Sequence, residues 1–452
     1  MASISDSDDQ DSFSVIGKDE ASVFSKEQES FRRGRMLVLI AAIVLAACPL
    51  LPVIYDIVAS NPFETHDAIY ITYLAGPVLL VFLGMAARVA MRDAVPQARQ
   101  EKTRLLGVRA SWIFLIVISW MLASTLLFGP DKGAGIFKLG EICLMAAVGL
   151  AAADLTRASG PGGMTRLWWA LCLSITVASV ASVGLFVNAQ HLYIDRVVPG
   201  FIHIRMFGFS LAASIAVMTA FFVHTYGRRE KFVFYVAVLT ILWAVLFWTA
   251  SRGGVVALVL SVGIGVVVIP RIRQVFWPWL AAMFVGFVLS LPIPGHGHGG
   301  ALSMFDHEAN VDSLSSGRMT LWSNVVEVAM ERPLTGHGYA QFRALMETHN
   351  PKLVPNAHTH NIILETLLAI GIPGTLVLAA AAITVWFRWL ADVRQTPSTE
   401  RLAAFLVISV LYAYSFVDAV YYFPQTLLFF AIAAGILGVR RPQAGSVSTK
   451  SG

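Results

Sequence analysis

The sequence predicts an all-α, polytopic membrane protein with about 12 transmembrane helices. Of its 452 residues, 56% are hydrophobic and only 13% are charged, whereas charged residues make up about a quarter of an ordinary soluble domain. The apolar residues fall in successive runs that are long enough to cross a bilayer as helices. Lys and Arg lie between these runs, so the net charge of +5 reflects membrane topology and not a nucleic-acid-binding face.

Twelve apolar segments define the predicted spans. Nine of them precede a long hydrophilic segment and three follow it. Their approximate bounds are 36–57, 67–90, 110–129, 134–153, 167–187, 206–226, 232–249, 254–270, 275–292, 361–387, 402–418 and 424–438.

This pattern divides the chain into five parts. The polar tail at 1–35 is expected to be disordered and cytoplasmic, and spans one to nine occupy 36–292. A large loop with a helical segment covers 293–360. Spans ten to twelve cover 361–438, and a short cytoplasmic tail covers 439–452.

The basic residues predict which loops face the cytoplasm. Lys and Arg resist translocation, so cytoplasmic loops are enriched in them. With both termini inside, the predicted cytoplasmic segments hold 24 of the 33 Lys and Arg residues. Ten of the eleven histidines lie on the opposite side, where the large loop provides room for a site that faces water.

The strongest candidate for chemistry is NAHTHNIILETLLAIGIPG, residues 356–374, where the large loop meets span ten. Polar side chains at the mouth of a membrane helix usually mark a functional site. His358 and His360 lie at the water boundary, and imidazole suits base chemistry near neutral pH. Asn361 and Glu365 share a helix face one turn deeper. Glu365 is expected either to orient a histidine or an arginine, or to be a structural carboxylate.

Basic residues on the outer side form a second set of candidates. Arg252 lies in TASRGG, where Gly253 and Gly254 are expected to leave room for a bulky anion. A guanidinium suits a diphosphate because its planar fork donates two parallel hydrogen bonds; the alternative is contact with lipid headgroups. The other members of this set are Arg196, His203, Arg205 and Arg318. They meet Arg252 only if the large loop folds back over the membrane.

Other kinds of site have weaker support. Lys138 is three residues from Glu141, which predicts an internal ion pair, with a diphosphate contact as the alternative. The glycine-rich HGHGG does little to preorganise metal ligands, so no metal is expected. Phosphate-binding loops, dinucleotide motifs and serine-hydrolase elbows do not occur. The residues in and after HGHGG that could serve as metal ligands are His296, His298, Asp306 and His307.

The large loop and span ten carry two structural predictions. Gly371, Pro373 and Gly374 are expected to kink the span and to allow close helix approach. The loop is expected to hold an amphipathic helix at 316–331, followed by a turn at GHGY. The predicted apolar face of that helix contains Leu321, Trp322, Val325, Val326 and Met330.

Together these motifs resemble the O-antigen ligase and polymerase superfamily of bacterial envelope proteins. The ligases carry the pattern His-[Asn/Ser/Gln]-x9-Gly-x2-Gly after a large periplasmic loop, and His360, Asn361, Gly371 and Gly374 fit it at every spacing. TASRGG is similar to the family's Ser-Arg-Gly step. SGRMTLW followed by PLTGHGYAQF is similar to its loop helix and glycine turn.

The resemblance implies a glycosyltransferase in the bacterial inner membrane, without cofactor or metal, similar in fold to membrane glycosyltransferases that use lipid-linked donors. A ligase moves a glycan from undecaprenyl diphosphate to a sugar hydroxyl of the lipid A core, with inversion, on the periplasmic face. His360 would be the general base, and Arg252 and Arg318 would hold the diphosphate. His358, Asn361, Glu365 and His203 would support the site. The match is weaker for Arg205, Arg196 and Lys138.

Two other functions are alternatives to glycan transfer by a ligase. A polymerase of O-antigen or exopolysaccharide repeat units would use the same donor and a growing glycan as acceptor. A transporter or lipid flippase usually places charged or broken segments near the bilayer midplane, whereas the arginines and histidines here lie at one membrane face. The expected partners are therefore the lipid-linked donor, the acceptor glycan and membrane lipids, and not nucleic acid.

Overall fold

The computed structural model describes residues 9–59, 65–94, 108–188, 201, 203–294, 300–305, 317–356, 358–396, 398–418 and 420–439. These residues form α-helices joined by turns and short 3-10 segments, which confirms the all-α class. The helices are α1 (Asp9–Ala59), α2 (Thr65–Ala94), α3 (Val108–Phe128), α4 (Lys132–Ser159), α5 (Thr165–Asn188), α6 (Ile204–Thr225), α7 (Arg229–Trp248), α8 (Arg252–Val268), α9 (Pro270–Ser290), α10 (Arg318–Glu331), α11 (Phe342–His349), α12 (Ile362–Gln395), α13 (Thr399–Ser415) and α14 (Pro424–Gly438).

Each predicted span coincides with one of these helices, and the large loop contributes α10 and α11. Within the described residues, eight helices are long and apolar enough to cross a membrane, namely α1, α2, α4, α5, α6, α7, α9 and α12. Shorter apolar segments lie in α3, α8 and α14, and α13 has 17 residues. The chain is therefore a polytopic α-helical membrane protein.

The first helix begins earlier than the sequence predicts. Residues 1–35 were expected to be disordered, but α1 starts at Asp9 and continues into the first apolar run. Extending a helix from a membrane-anchored segment needs no new nucleus. An ion pair between Arg33 and Glu29 at 3.1 Å, one turn apart, adds support to this extension.

Helix α6 forms the centre of the bundle. Its whole apolar segment is buried, and six helices, α5, α7, α8, α9, α13 and α14, pack around it. Small residues let neighbouring backbones approach closely inside a membrane protein. They recur along α6 as Ser210, Ala212, Ala213, Ser214, Ala216 and Ala220.

The large loop folds back onto α12 through a small core of its own. The buried side chains of this core come from α10, α11 and α12. The sequence predicted the right helix but only part of its buried face, because Val326 and Met330 are exposed, at 39% and 46%. The face that packs repeats at i, i+4, i+7 and i+8 and consists of Leu321, Val325, Val328 and Ala329.

The predicted kink in α12 is confirmed. Gly371 has φ 68° and ψ −175°, a backbone conformation that interrupts the helix. Two residues later, Pro373 has no N–H to donate to the preceding turn. The N–H of Ile372 turns away from the helix and donates to the carbonyl of Pro333 at 2.7 Å.

The kink leaves two carbonyls of α12 without partners in their own helix, and the large loop supplies them. The N–H of His337 donates to the carbonyl of Leu368 at 2.7 Å, and the N–H of Gly338 donates to that of Ala369 at 3.1 Å. Gly336 and Gly338 both have positive φ, and a side chain at either would collide with neighbouring backbone. The GHGY turn is thus built to lie against the broken helix.

Gln341 fastens the other side of this turn to the bundle. Its amide oxygen accepts the N–H of Asp131 at 2.8 Å, and its amide nitrogen donates to the carbonyl of Asp131 at 2.8 Å. The N–H of Tyr339 donates to the hydroxyl of Thr125 at 3.0 Å. Since Gln341 is completely buried, the loop is fixed to the turn between α3 and α4.

We expect Gly371→Ala to lower the melting temperature of the purified protein. The combination of φ 68° and ψ −175° is adopted almost only by glycine and costs another residue about 1–3 kcal/mol, and the new Cβ would lie 2.5 Å from the carbonyl oxygen of Pro333. The matched control is Gly263→Ala in α8, where a Cβ meets nothing within 4 Å and helix propensity favours alanine. Equal melting temperatures for Gly371→Ala and the unmodified protein would contradict this account of the kink.

Candidate active site

The site begins at the residue that precedes α12. Asn361 caps this helix, and its side-chain oxygen accepts the N–H groups of Ile363 and Leu364 at 2.9 and 3.2 Å. Its amide nitrogen donates to the carbonyl of Phe416 at 2.9 Å. The cap therefore joins the start of α12 to the turn after α13, and it places His360 next to that turn.

His360 is held in an unusual backbone conformation. Its φ of 54° lies in the left-handed region, which a non-glycine residue seldom adopts without support. Thr359 provides the support, because its N–H and hydroxyl donate to the same Glu365 oxygen at 3.3 and 3.0 Å. The Trp322 indole donates to the carbonyl of Thr359 at 3.0 Å. Among the described residues, Glu365 thus binds the residue between the histidines and not a histidine or arginine.

Asp418 is the centre of the charged cluster. Its Oδ1 lies 2.7 Å from Nδ1 of His360, and its Oδ2 lies 3.2 Å from the guanidinium of Arg318 and 3.9 Å from that of Arg205. Arg205 also reaches both ring nitrogens of His360, at 3.2 and 3.3 Å. Asp418 is only 3% exposed, so these contacts are made in a water-poor environment.

The protonation states follow from these contacts. Burial alone would raise the pKa of Asp418, but the hydrogen bond from His360 and the charge of Arg205 hold that pKa below its usual value. Burial lowers the pKa of His360; Asp418 opposes this effect, and the arginines add to it. His360 is therefore neutral near pH 7, and Asp418 is ionised. The short contact favours the tautomer in which Nδ1 carries the proton and Nε2 is the acceptor.

His358 packs beside the cluster as a neutral ring. Its centroid lies 4.1 Å from that of His360, with the rings edge to face. It also contacts Tyr422 and Phe423, at centroid distances of 5.0 and 5.5 Å. Burial lowers the pKa of His358 well below its usual value, and the neighbouring His360 lowers it further. Its position thus suits shaping the site more than transferring a proton.

A cavity of about 270 Å³ opens in front of the cluster. Arg205, Arg318 and His360 form its charged wall. Two guanidiniums and a base therefore face the same space, a combination suited to an anionic ligand that carries or meets a hydroxyl. The rest of the lining consists of Gly317, Thr320, Leu321, Leu353 and Asn356.

The same cluster offers one possible set of metal ligands. The ligand atoms of His358, His360 and Asp418 lie within 4.8 Å of one another. Two guanidiniums close to the single carboxylate disfavour a second cation electrostatically, so the donor set suits an anion better than a metal ion. The other histidine cluster considered from the sequence, which comprises His296, His298, Asp306 and His307, lies outside the described residues.

Arg252 is the first residue of α8 and stands beside the cluster. It is near enough to Arg318 for their charges to repel each other, but it is not part of the cavity wall. The sequence suggested that Gly253 and Gly254 leave room for an anion, and this expectation is wrong. A Cβ on either would lie 2.7 or 3.1 Å from the Tyr414 ring, so these glycines serve the close packing of α8 against α13.

The structure separates the remaining basic candidates. His203 caps α6, and its Nδ1 accepts the N–H of Arg205 at 3.0 Å, which places Arg205 at the site. Lys138 and Glu141 form the predicted ion pair at 2.8 Å. Arg196 lies outside the described residues.

Sequence reasoning missed Asp418. The predicted span at 402–418 treated this residue as the end of a helix, but α13 ends at Ser415 and Asp418 lies in the following turn. The signal was present in SFVDAVYY, where one carboxylate stands at the membrane face that carries the histidines. A charge at such a boundary needs a partner, and the arginines of the same face were the available ones.

A comparison with known families gives a match that overlaps part of this site. Residues 236–379 match the family model described as O-Antigen ligase. The match includes Arg252, Arg318 and His360, whereas Arg205 precedes it and Asp418 follows it. The search of curated proteins finds no match. The resemblance to the O-antigen ligase superfamily is thus confirmed, and the chain is a polytopic helical membrane protein whose residues 236–379 are similar to the O-antigen ligase family.

Proposed function

We propose that the chain is a membrane glycosyltransferase of the O-antigen ligase type. It transfers a glycan from undecaprenyl diphosphate to a sugar hydroxyl of the lipid A core, at the periplasmic face of the inner membrane. The observation that supports this proposal most is the 2.7 Å contact between His360 and Asp418, in a cavity wall that also holds Arg205 and Arg318. This wall combines a neutral base with two diphosphate-binding groups.

His360 acts as the general base in this proposal. Nε2 takes the proton of the acceptor hydroxyl while the hydroxyl oxygen attacks the anomeric carbon, and the bond from that carbon to the diphosphate oxygen breaks. Attack from the face opposite the leaving group inverts the configuration. Asp418 keeps Nε2 unprotonated in the ground state and stabilises the imidazolium that forms. One positioned base typically contributes about 10² to 10⁴ in rate.

The arginines act on the leaving group. Negative charge accumulates on the departing diphosphate, and fixed guanidiniums in a water-poor cavity stabilise that charge without reorganising. Arg205 and Arg318 already face the cavity, and Arg252 is near enough to Arg318 for their charges to interact. The donor carries its own activated bond, so neither a nucleotide nor a metal ion is required in the proposed reaction. Lys138 has no role in the proposed reaction, because it forms an ion pair with Glu141.

We expect His360→Ala to block ligation in cells while the protein stays in the membrane. Polymer that is not attached to lipid A core then accumulates on the lipid carrier, and transfer falls by about 10² to 10⁴. The control is His349→Ala, a loop histidine that faces Glu327 at 3.5 Å and not the cavity. Full transfer by His360→Ala would remove the base from the mechanism. Single repeat units on lipid A core would instead identify a polymerase, which uses the same donor.

Asp418→Asn should move the pH dependence of transfer in a defined direction. The hydrogen bond and charge of Asp418 raise the pKa of His360, so the neutral amide lowers it. The acid limb of the kcat/KM profile then shifts to lower pH, and the maximal rate falls because the imidazolium loses its counter-charge. Asp392→Asn is the control, since that carboxylate pairs with Arg401 at 2.7 Å. An acid limb that stays in place would argue against the dyad.

The proposed orientation is tested with single cysteines in a variant that lacks the three native ones. We expect an impermeant maleimide to label Lys352→Cys in intact cells, because this exposed position lies in the large loop. Lys231→Cys, at the exposed start of α7, should react only after the inner membrane is opened. The opposite labelling pattern would place the site in the cytoplasm. The native residues to be replaced are Cys48, Cys143 and Cys172.

A further inference from the structure

A second cavity lies at the opposite end of the bundle from His360. It measures about 590 Å³ and is bounded by one face of α1 and by the start of α5. Lys138, near the start of α4, contacts Tyr422 beside the catalytic cluster, whereas the end of α4 at Ala158 touches α1. The 20 residues between these two points span about 30 Å. The lining consists of Gln28, Phe31, Arg32, Arg35, Met36, Leu39 and Arg166.

The α1 residues of this groove form a single helical stripe. They recur at intervals of three and four positions, so they share one face of the helix. Arg32 and Arg35 occupy the earlier part of the stripe, and Met36 and Leu39 follow, 65% and 45% exposed. The candidate membrane span of α1 covers Gln28–Leu51, and the stripe changes from basic to apolar side chains within its first turns.

This stripe is rigidly positioned. Gly34 packs so closely on the carbonyl of Ala158 that a Cβ has no room there. Phe31 lies against Gly160 in the turn between α4 and α5. The Arg35 guanidinium donates to the carbonyl of Ser159 at 3.3 Å. The groove is therefore built by packing and is not formed by loosely held surface side chains.

The charge of the groove is one-sided. Three of its seven described lining residues are arginines, and none carries a carboxylate. Arg33 is on a neighbouring face and pairs with Glu29 at 3.1 Å, so the acid of this turn is directed away. Guanidiniums of this kind bind phosphate oxygens through charge-assisted hydrogen bonds. Basic pockets between membrane helices are suited to anionic lipid headgroups.

We propose that the groove binds an anionic phospholipid of the leaflet opposite the His360 cavity. Its phosphate would contact Arg32, Arg35 and Arg166, and its acyl chains would lie along Met36 and Leu39. Exposed apolar side chains directly next to the arginines favour a lipid over a soluble phosphate, because a free ion leaves them unused. This inference does not depend on the proposed transferase activity. The predicted orientation puts the groove in the cytoplasmic leaflet.

The test titrates the full-length protein in neutral detergent with phosphatidylglycerol and follows the bound lipid by native mass spectrometry. We expect the double variant Arg32→Gln/Arg166→Gln to bind it about 30-fold more weakly, at about 1 kcal/mol for each arginine. Arg33→Gln is the matched control and should bind as the unmodified protein does. Arg35 is left unchanged because it also binds the α4 carbonyl.

Three results would overturn the proposal. One is equal affinity of the double variant and the unmodified protein for phosphatidylglycerol. Another is equal affinity of the unmodified protein for phosphatidylcholine, and the third is complete displacement of the lipid by an equal concentration of inorganic phosphate. If the double variant does not fold, Arg166→Gln alone, at an exposed position on α5, should weaken binding about fivefold.

Discussion

The hydrogen bonds that α12 gives up at Gly371 hold the region of the candidate site together. A straight helix would use the carbonyls of Leu368 and Ala369 internally and would offer the large loop only side chains. The kink presents these carbonyls as acceptors, and the turn at 336–338 donates to them. Buried backbone groups must be paired, so the helix and the loop each supply the hydrogen-bond partners that the other lacks. Breaking this arrangement would leave unsatisfied polar groups on both.

The consequence reaches the site through α10. This helix rests on α12 through its own small core, and its first residue is Arg318, which binds Asp418. Arg205 arrives from the start of α6, and His360 from the residue before α12. Groups more than 200 positions apart in the chain therefore meet at one carboxylate. Asp418 alone balances only part of the positive charge of its neighbours, so the cavity attracts an anion.

Much of the fold follows from the sequence because a bilayer imposes strong rules. Spans must be apolar and about 20 residues long, and backbone groups must be paired internally. The helices and the kink at Gly371 were predictable for these reasons. The start of α1 at Asp9 was not predictable from composition. The composition of the tail is that of a disordered segment, and it does not show that the tail continues directly into a membrane helix.

The site was harder to predict because its geometry depends on long-range packing. His360 was identifiable from its position at a helix start, and Arg318 from the motif around it. Asp418 lies 58 positions from its partner, and local sequence does not encode that pairing. Gly253 and Gly254 suggested space for a ligand because glycine has no side chain. The sequence does not show that the Tyr414 ring fills this space.

The complete burial of α6 gives the two arginines of the cavity wall different structural supports. Arg205 is anchored on a helix enclosed along its whole apolar length, and shifting this helix would require repacking six neighbouring helices. Arg318 belongs to a loop helix with a separate, smaller core. A displacement of α10 would therefore disturb a smaller set of buried contacts than a displacement of α6.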